Sequence, residues 1–142
     1  PPVQNELIEK LAQVNENIVV VLHNGAPVTM PWLGKVKSVL ECYLGGENVG
    51  TAQVNLLFGR ANPCGKLAET FPLRLQDTPC YLNYPGNGRT VYYSEGIFVG
   101  YRWYDSRKMP GLLPFGHGLS YTKFEYSDLK IEFKNFKFKF LN

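Results

Sequence analysis

Few residues of this 142-residue chain stand in patterns that could do chemistry. Glu95, in Tyr93-Ser94-Glu95-Gly96, is the carboxylate of most interest, because aromatic neighbours could bury it and lift its pKa into the range of a general acid. An ion pair with Arg89 or Arg102 is the simpler expectation for a glutamate carried on a strand, so Glu95 is read as structural. Ser120, in Gly118-Leu119-Ser120-Tyr121-Thr122, approaches a nucleophile elbow, but Thr122 stands where the sharp turn needs a second glycine. His117, between Gly116 and Gly118, could be an exposed acid or base; a role in capping or packing the turn is the commoner one.

The glycine-rich turn Gly45-Gly46-Glu47-Asn48-Val49-Gly50 feeds a predicted helix, a setting in which backbone N–H groups can cradle phosphate. Its spacing argues otherwise. A dinucleotide fingerprint opening at Gly45 needs glycine where Glu47 would repel a phosphate, and no GxxxxGK[ST] loop occurs, so tight helix–strand packing is the preferred explanation. Cys42, Cys64 and Cys80 contain no CxxC pair, and neither His23 nor His117 has zinc-ligand spacing to another ligand. No metal or cofactor is expected. Isolated cysteines of this kind behave as small buried hydrophobes, which favours a reducing, cytoplasmic compartment. Tyr92, Tyr93, Phe98, Tyr101, Trp103 and Tyr104 could stack on sugar rings, although half of such a cluster must serve the core.

The elements that must position these residues follow from the apolar periodicity. Val3, Leu7, Ile8, Leu11 and Val14 form one stripe of an amphipathic helix, with Pro1 and Pro2 at its entrance. Residues 18–22 are an unbroken run, Ile-Val-Val-Val-Leu, predicting a strand buried on both faces. Residues 38–43 predict a second short strand, with a helix as the alternative. A helix then opens near Gly50, carries Ala52, Val54, Leu56, Leu57 and Phe58, and ends at Gly59. Helix, strand, strand, helix predicts a parallel α/β layer with right-handed crossovers, which two strands do not complete. Residues 92–104 alternate and predict a strand. A further glycine-rich turn over residues 114–121 precedes Phe124, Tyr126, Leu129, Ile131 and Phe133, which read as the opening strand of a β module.

Composition narrows the class. The chain is 44% hydrophobic and 14% aromatic, enough for a packed core. Its net charge of +3 is concentrated at the end: residues 1–122 hold ten basic and nine acidic side chains, the last twenty five and three. A nearly neutral body lacks the basic face that nucleic acid demands. No apolar run approaches the roughly 20 residues of a membrane-spanning helix.

Six phrases, in order, resemble the second, α/β-sandwich domain of family 3 glycoside hydrolases, the β-glucosidase and β-xylosidase group. They are Asn17-Ile18-Val19-Val20-Val21-Leu22; Gly25-Ala26-Pro27-Val28 with Pro31-Trp32; Gly50 with Leu57-Phe58-Gly59; Asn62-Pro63-Cys64-Gly65-Lys66-Leu67 with Thr70-Phe71-Pro72; Tyr93-Ser94-Glu95-Gly96-Ile97-Phe98-Val99-Gly100-Tyr101-Arg102; and Pro114-Phe115-Gly116-His117-Gly118-Leu119-Ser120-Tyr121-Thr122. The resemblance implies part of an α/β sandwich with a mostly parallel sheet over residues 1–122, and the start of a fibronectin-III-like β module over 123–142. The closing run of Phe133, Phe136, Phe138 and Phe140 among lysines matches no phrase.

The resemblance further implies a retaining hydrolase of terminal non-reducing β-D-glucosyl or related residues, working through two carboxyl groups about 5 to 5.5 Å apart. The nucleophile is expected on a preceding (β/α)8 barrel and the acid/base on a loop just before the first helix, so no catalytic residue is assigned to this chain. Glu95 matches a different phrase and is read as support near a domain interface. The opening Pro1-Pro2 reads as a cut, and the open sheet edge and apolar helix faces are expected to need the barrel domain or a second copy as partner. Alone, the chain is expected to be inactive. The competing expectation is a non-catalytic carbohydrate-binding or interaction module built on Trp103 and the tyrosines.

Overall fold

A computed structural model describes residues 1–131. Helix α1 spans Pro2–Ala12, with proline at its first position and Lys10 in its last turn, where a cation suits the helix dipole. Of the predicted stripe only Ile8 faces the core. Val3, Leu7 and Leu11 remain 65%, 58% and 44% exposed, and Val14 lies beyond the helix in water. The docked face is instead Asn5, Ile8, Glu9 and Ala12, again at helical spacing. Ile8 packs on the core, the Trp32 indole N–H donates to Asn5 Oδ1 at 2.9 Å, and Lys35 pairs with Glu9. Two polar contacts thus turn the helix away from the orientation its apolar residues alone would choose.

Strand β1 (Val19–Leu22) and strand β2 (Ser38–Glu41) pair in parallel, with Val19 opposite Ser38 and Leu22 opposite Glu41. Both predicted strands are present, each shortened at one end. The expectation that β1 is buried on both faces is corrected: Val19 is exposed and Val20, Val21 and Leu22 are half-buried. Among the described residues the sheet has these two strands only, and none of their side chains is fully buried.

The connection between the strands carries Met30 and Trp32 into the core and passes through a 3-10 turn at Leu33–Lys35. Helix α2 spans Val49–Leu57. A Cβ on Gly45 would collide with the side chain of Val49, the first residue of α2, whereas Gly46 and Gly50 have nothing within 4 Å, so the close approach is local to the turn and not the helix–strand packing expected. Gly59, at φ +68°, ends the helix as expected. Phe71, only 1% exposed, exchanges backbone hydrogen bonds with the 112–113 segment, and Leu67 does so with Gly116 and His117. Met30, Trp32 and Phe71 are the centre of the core.

The strand expected over residues 92–104 is absent. Gly96 and Gly100 have φ of +58° and +59°, which interrupts any extended run, and helix α3 occupies Tyr101–Arg107. Aromatics at both parities imitated strand alternation; spacing three apart places Tyr101, Tyr104 and Arg107 along one side of the helix instead. Residues 123–131 form neither helix nor strand. The remainder of the predicted β module, with Phe133 and the Phe/Lys run, lies outside the described residues.

Candidate functional site

The new geometry reassigns most of the predicted chemistry to structure. Glu95 sits half-buried in a turn where its carbonyl accepts the Phe98 N–H at 3.1 Å. Its expected ion pair is not formed: among the described residues the ion pairs are Lys35–Glu9 and Arg74–Asp77, and Arg102 reaches the Ile97 carbonyl instead. With helix α3 beginning at Tyr101, the Arg102 guanidinium is taken up by that carbonyl. Ser120 is a clasp, its Oγ donating to Asn62 Oδ1 at 2.9 Å, beside the Tyr121 N–H at the same distance on the same oxygen. His117 packs a turn through its backbone, donating to Pro114 and accepting from Leu67.

Less of the aromatic cluster serves the core than the half expected: Trp103 is half-buried, and Tyr92, Tyr93, Phe98 and Tyr101 are exposed. Tyr104 is buried; Tyr101 stacks on Phe115 with centroids 4.9 Å apart. Trp103 donates its indole N–H to the Asp77 carbonyl, and the Arg107 guanidinium lies 3.7 Å from the centre of its ring. That face is therefore occupied by a cation, not open to a sugar. Tyr92 and Tyr93 are exposed. Of the cysteines, Cys42 is half-buried and burial pushes its thiol up, whereas Cys64 and Cys80 are exposed, contrary to the buried role expected of them.

A site that the sequence did not announce lies at the carboxyl end of β2, the end at which open parallel sheets bind their ligands. Glu41 Oε1 accepts the Tyr43 N–H at 2.8 Å, and Tyr43 adopts φ +48°, uncommon for a bulky residue. Glu41 Oε2 and the Tyr43 hydroxyl are shielded from water without a hydrogen-bond partner. Burial raises the Glu69 carboxyl above its ordinary value, and the charge of Glu41 raises it further. Burial likewise raises the Tyr43 phenol, with Glu69 and Glu41 adding to the rise; the nearby Ala68 amide offsets part of it without a well-directed hydrogen bond. Glu41 and Tyr43 stand on a groove of about 710 Å³ whose other walls are mainly apolar. Among the described residues no three His, Cys, Asp or Glu side chains are grouped so as to hold a metal ion. The one signal available beforehand was a glutamate inside an apolar strand run.

Mixed helices and strands around a small parallel sheet define the class as an α/β domain with an open apolar groove. The family model of the glycosyl hydrolase family 3 C-terminal domain matches residues 1–101, and the chain belongs to that family. It is 61% identical over 135 residues to "Thermostable beta-glucosidase B" of Acetivibrio thermocellus, a match covering 95% of this chain and 18% of that protein. It is 47% identical over 131 residues to "Probable beta-glucosidase I" of Emericella nidulans, covering 92% of this chain and 16% of the relative. The crystal structure of the Kluyveromyces marxianus beta-glucosidase in complex with glucose superposes with a TM-score of 0.82 at 41% identity, over 86% of this chain and 15% of that one. The Bifidobacterium adolescentis GH3 beta-glucosidase gives 0.79 at 47% identity, over 85% and 18%. The chain thus spans less than a fifth of the length of these proteins.

Proposed function

We propose that this chain works as the C-terminal α/β part of a retaining β-glucosidase-like enzyme that hydrolyses terminal non-reducing β-D-glucosyl or related residues. The observation that carries the reading is 61% identity to a beta-glucosidase across 95% of the chain. In such an enzyme one carboxylate forms a covalent glycosyl intermediate and a second carboxyl acts as acid, then base. Both groups are assigned to polypeptide outside this chain; no residue here is given a catalytic role. The contribution of residues 1–122 is to position a wall of the substrate cleft. Residues 123–142 are assigned to the opening of a fibronectin-III-like module. The partners are therefore β-glucosides or oligosaccharides in the complete enzyme, and the barrel domain that supplies the nucleophile. No helix among the described residues is long and apolar enough to cross a membrane.

The test is release of nitrophenol from an aryl β-glucoside. The Acetivibrio thermocellus enzyme with its matching region replaced by this chain should hydrolyse the glucoside, while the 142-residue chain alone should not. Turnover by the chain alone would overturn the assignment of the carboxylates and call for Glu95→Gln at once. Glucoside binding without turnover, abolished by Trp103→Ala, would favour the carbohydrate-binding module instead.

A further inference from the structure

We infer that Asn87 is a site of spontaneous covalent modification. Its side-chain amide is converted to aspartate and isoaspartate through a cyclic imide formed with the Gly88 nitrogen, while the fold protects the chemically equivalent pair Asn24-Gly25. This holds whether or not the chain serves a glycosidase.

Asn-Gly occurs at two places in the sequence, residues 24–25 and 87–88. Glycine after asparagine leaves the following nitrogen without a side chain to screen it. Both pairs share that local chemistry, and only the structure separates them.

At the second pair the reacting groups are open. Asn87 is exposed, the side-chain hydrogen bond of its loop joins Asn83 to Ser94 instead, and the Gly88 N–H donates to no backbone carbonyl among the described residues. The backbone around them is a tight hairpin: the Asn87 N–H donates to the Thr90 carbonyl at 2.8 Å, and the Asn87 carbonyl accepts the Thr90 N–H at 3.1 Å. Gly88 takes the first central position at φ +62°, where glycine is favoured. A Cβ there would meet nothing within 4 Å, so the path between its nitrogen and the Asn87 side chain is clear. A Cβ on Gly86 would lie 2.5 Å from the Thr90 carbonyl oxygen. The turn thus needs glycine on both sides of Asn87 and cannot shield it with a neighbouring side chain.

At the first pair the same groups are held. Asn24 is half-buried, its Nδ2 donates to the Ala26 carbonyl at 2.8 Å, and its Oδ1 is shielded from water without a partner. Attack at Cγ places negative charge on that oxygen. Water stabilises the charge at Asn87; nothing does so at Asn24. Turning the Asn24 amide toward Gly25 also breaks its bond to Ala26, so reaction there waits on local opening.

The chemistry needs water alone as co-reactant. The Gly88 nitrogen gives its proton to a solvent base and bonds to Asn87 Cγ; the Cγ–Nδ2 bond breaks, the proton returns to the departing nitrogen, and ammonia leaves. Water then opens the imide at Cγ to give aspartate, or at the main-chain carbonyl to give isoaspartate. Either product sets a carboxylate beside Arg89. Isoaspartate also lengthens the backbone by a carbon, so the pairing of residue 87 with Thr90 loses its register.

The experiment incubates the 142-residue chain and the Acetivibrio thermocellus chimera at mildly alkaline pH and follows the two peptides by mass spectrometry. Isoaspartate is counted by methyl transfer from S-adenosylmethionine with an isoaspartyl methyltransferase. In each protein Asn87 should convert about tenfold faster than Asn24, because the held site reacts only from its opened fraction. In urea that unfolds the protein the two rates should converge. Asn87→Gln, which would have to close a larger ring, should remove the isoaspartate signal from the loop peptide and leave the Asn24 rate unchanged. Equal native rates, a faster Asn24, or a lead at Asn87 that survives undiminished in urea overturns the inference.

Discussion

Phe71 is the residue on which packing depends most: at 1% exposure it joins the core cluster while its backbone holds the 112–113 segment. Phe71→Ala should cost about 3 to 5 kcal/mol, read as a lowered denaturant midpoint with little change in slope. Glu69 gives a prediction of opposite character. Its carboxyl titrates above its ordinary value, chiefly through burial and then through Glu41. Between the unfolded and folded values the native state binds the extra proton, so stability falls as pH rises through that interval and stays lower above it. Glu69→Gln should remove this decline and make the chain more stable at neutral pH; an unchanged pH profile would refute the coupling. Phrases such as Asn62-Pro63-Cys64-Gly65 were legible from the sequence because each is local. The meeting of Glu41, Tyr43 and Glu69 was not, since it joins the end of β2 at Glu41 to a loop residue far along the chain and depends on what each atom lacks, not on a spacing.

At the scale of elements, legibility followed the strength of the local pattern. A β-branched run fixed β1, and glycine punctuation fixed the end of α2, with Gly59 at φ +68°. The stretch before and within α3 misled because aromatics at successive positions satisfy both a period of two and a period near four, so composition could not choose between them. The backbone chose. Gly100 precedes α3 at φ +59° and ψ −130°, a region that essentially only glycine occupies. Gly100→Ala should therefore cost about 1 to 3 kcal/mol although its side chain would meet no neighbour within 4 Å. Circular dichroism and urea titration would check it; a neutral substitution would mean that the turn into α3 relaxes freely. In α1 the helix itself was legible and its facing was not, because Asn5 and Glu9, polar residues that a hydrophobic count ignores, make the contacts that orient it.

At the scale of the molecule, the same rotation of α1 leaves a second uncovered surface. Val3, Leu7 and Leu11 line one side of the helix and all stay exposed, while Ile8 and the polar anchors do the docking. Each side chain buried by a partner would contribute about 1.5 to 3 kcal/mol, so this face rewards any contact that removes it from water. For the 142-residue chain on its own the consequence is concentration-dependent self-association through α1. Leu7→Lys with Leu11→Lys should suppress it, since both positions lie off the docked face and lysine keeps helix propensity. Sedimentation velocity over a range of concentrations, with the helical signal confirmed unchanged, separates the outcomes. Association that persists undiminished in the double variant would assign it to another surface, with the groove beside β2 then tested by Leu119→Asp.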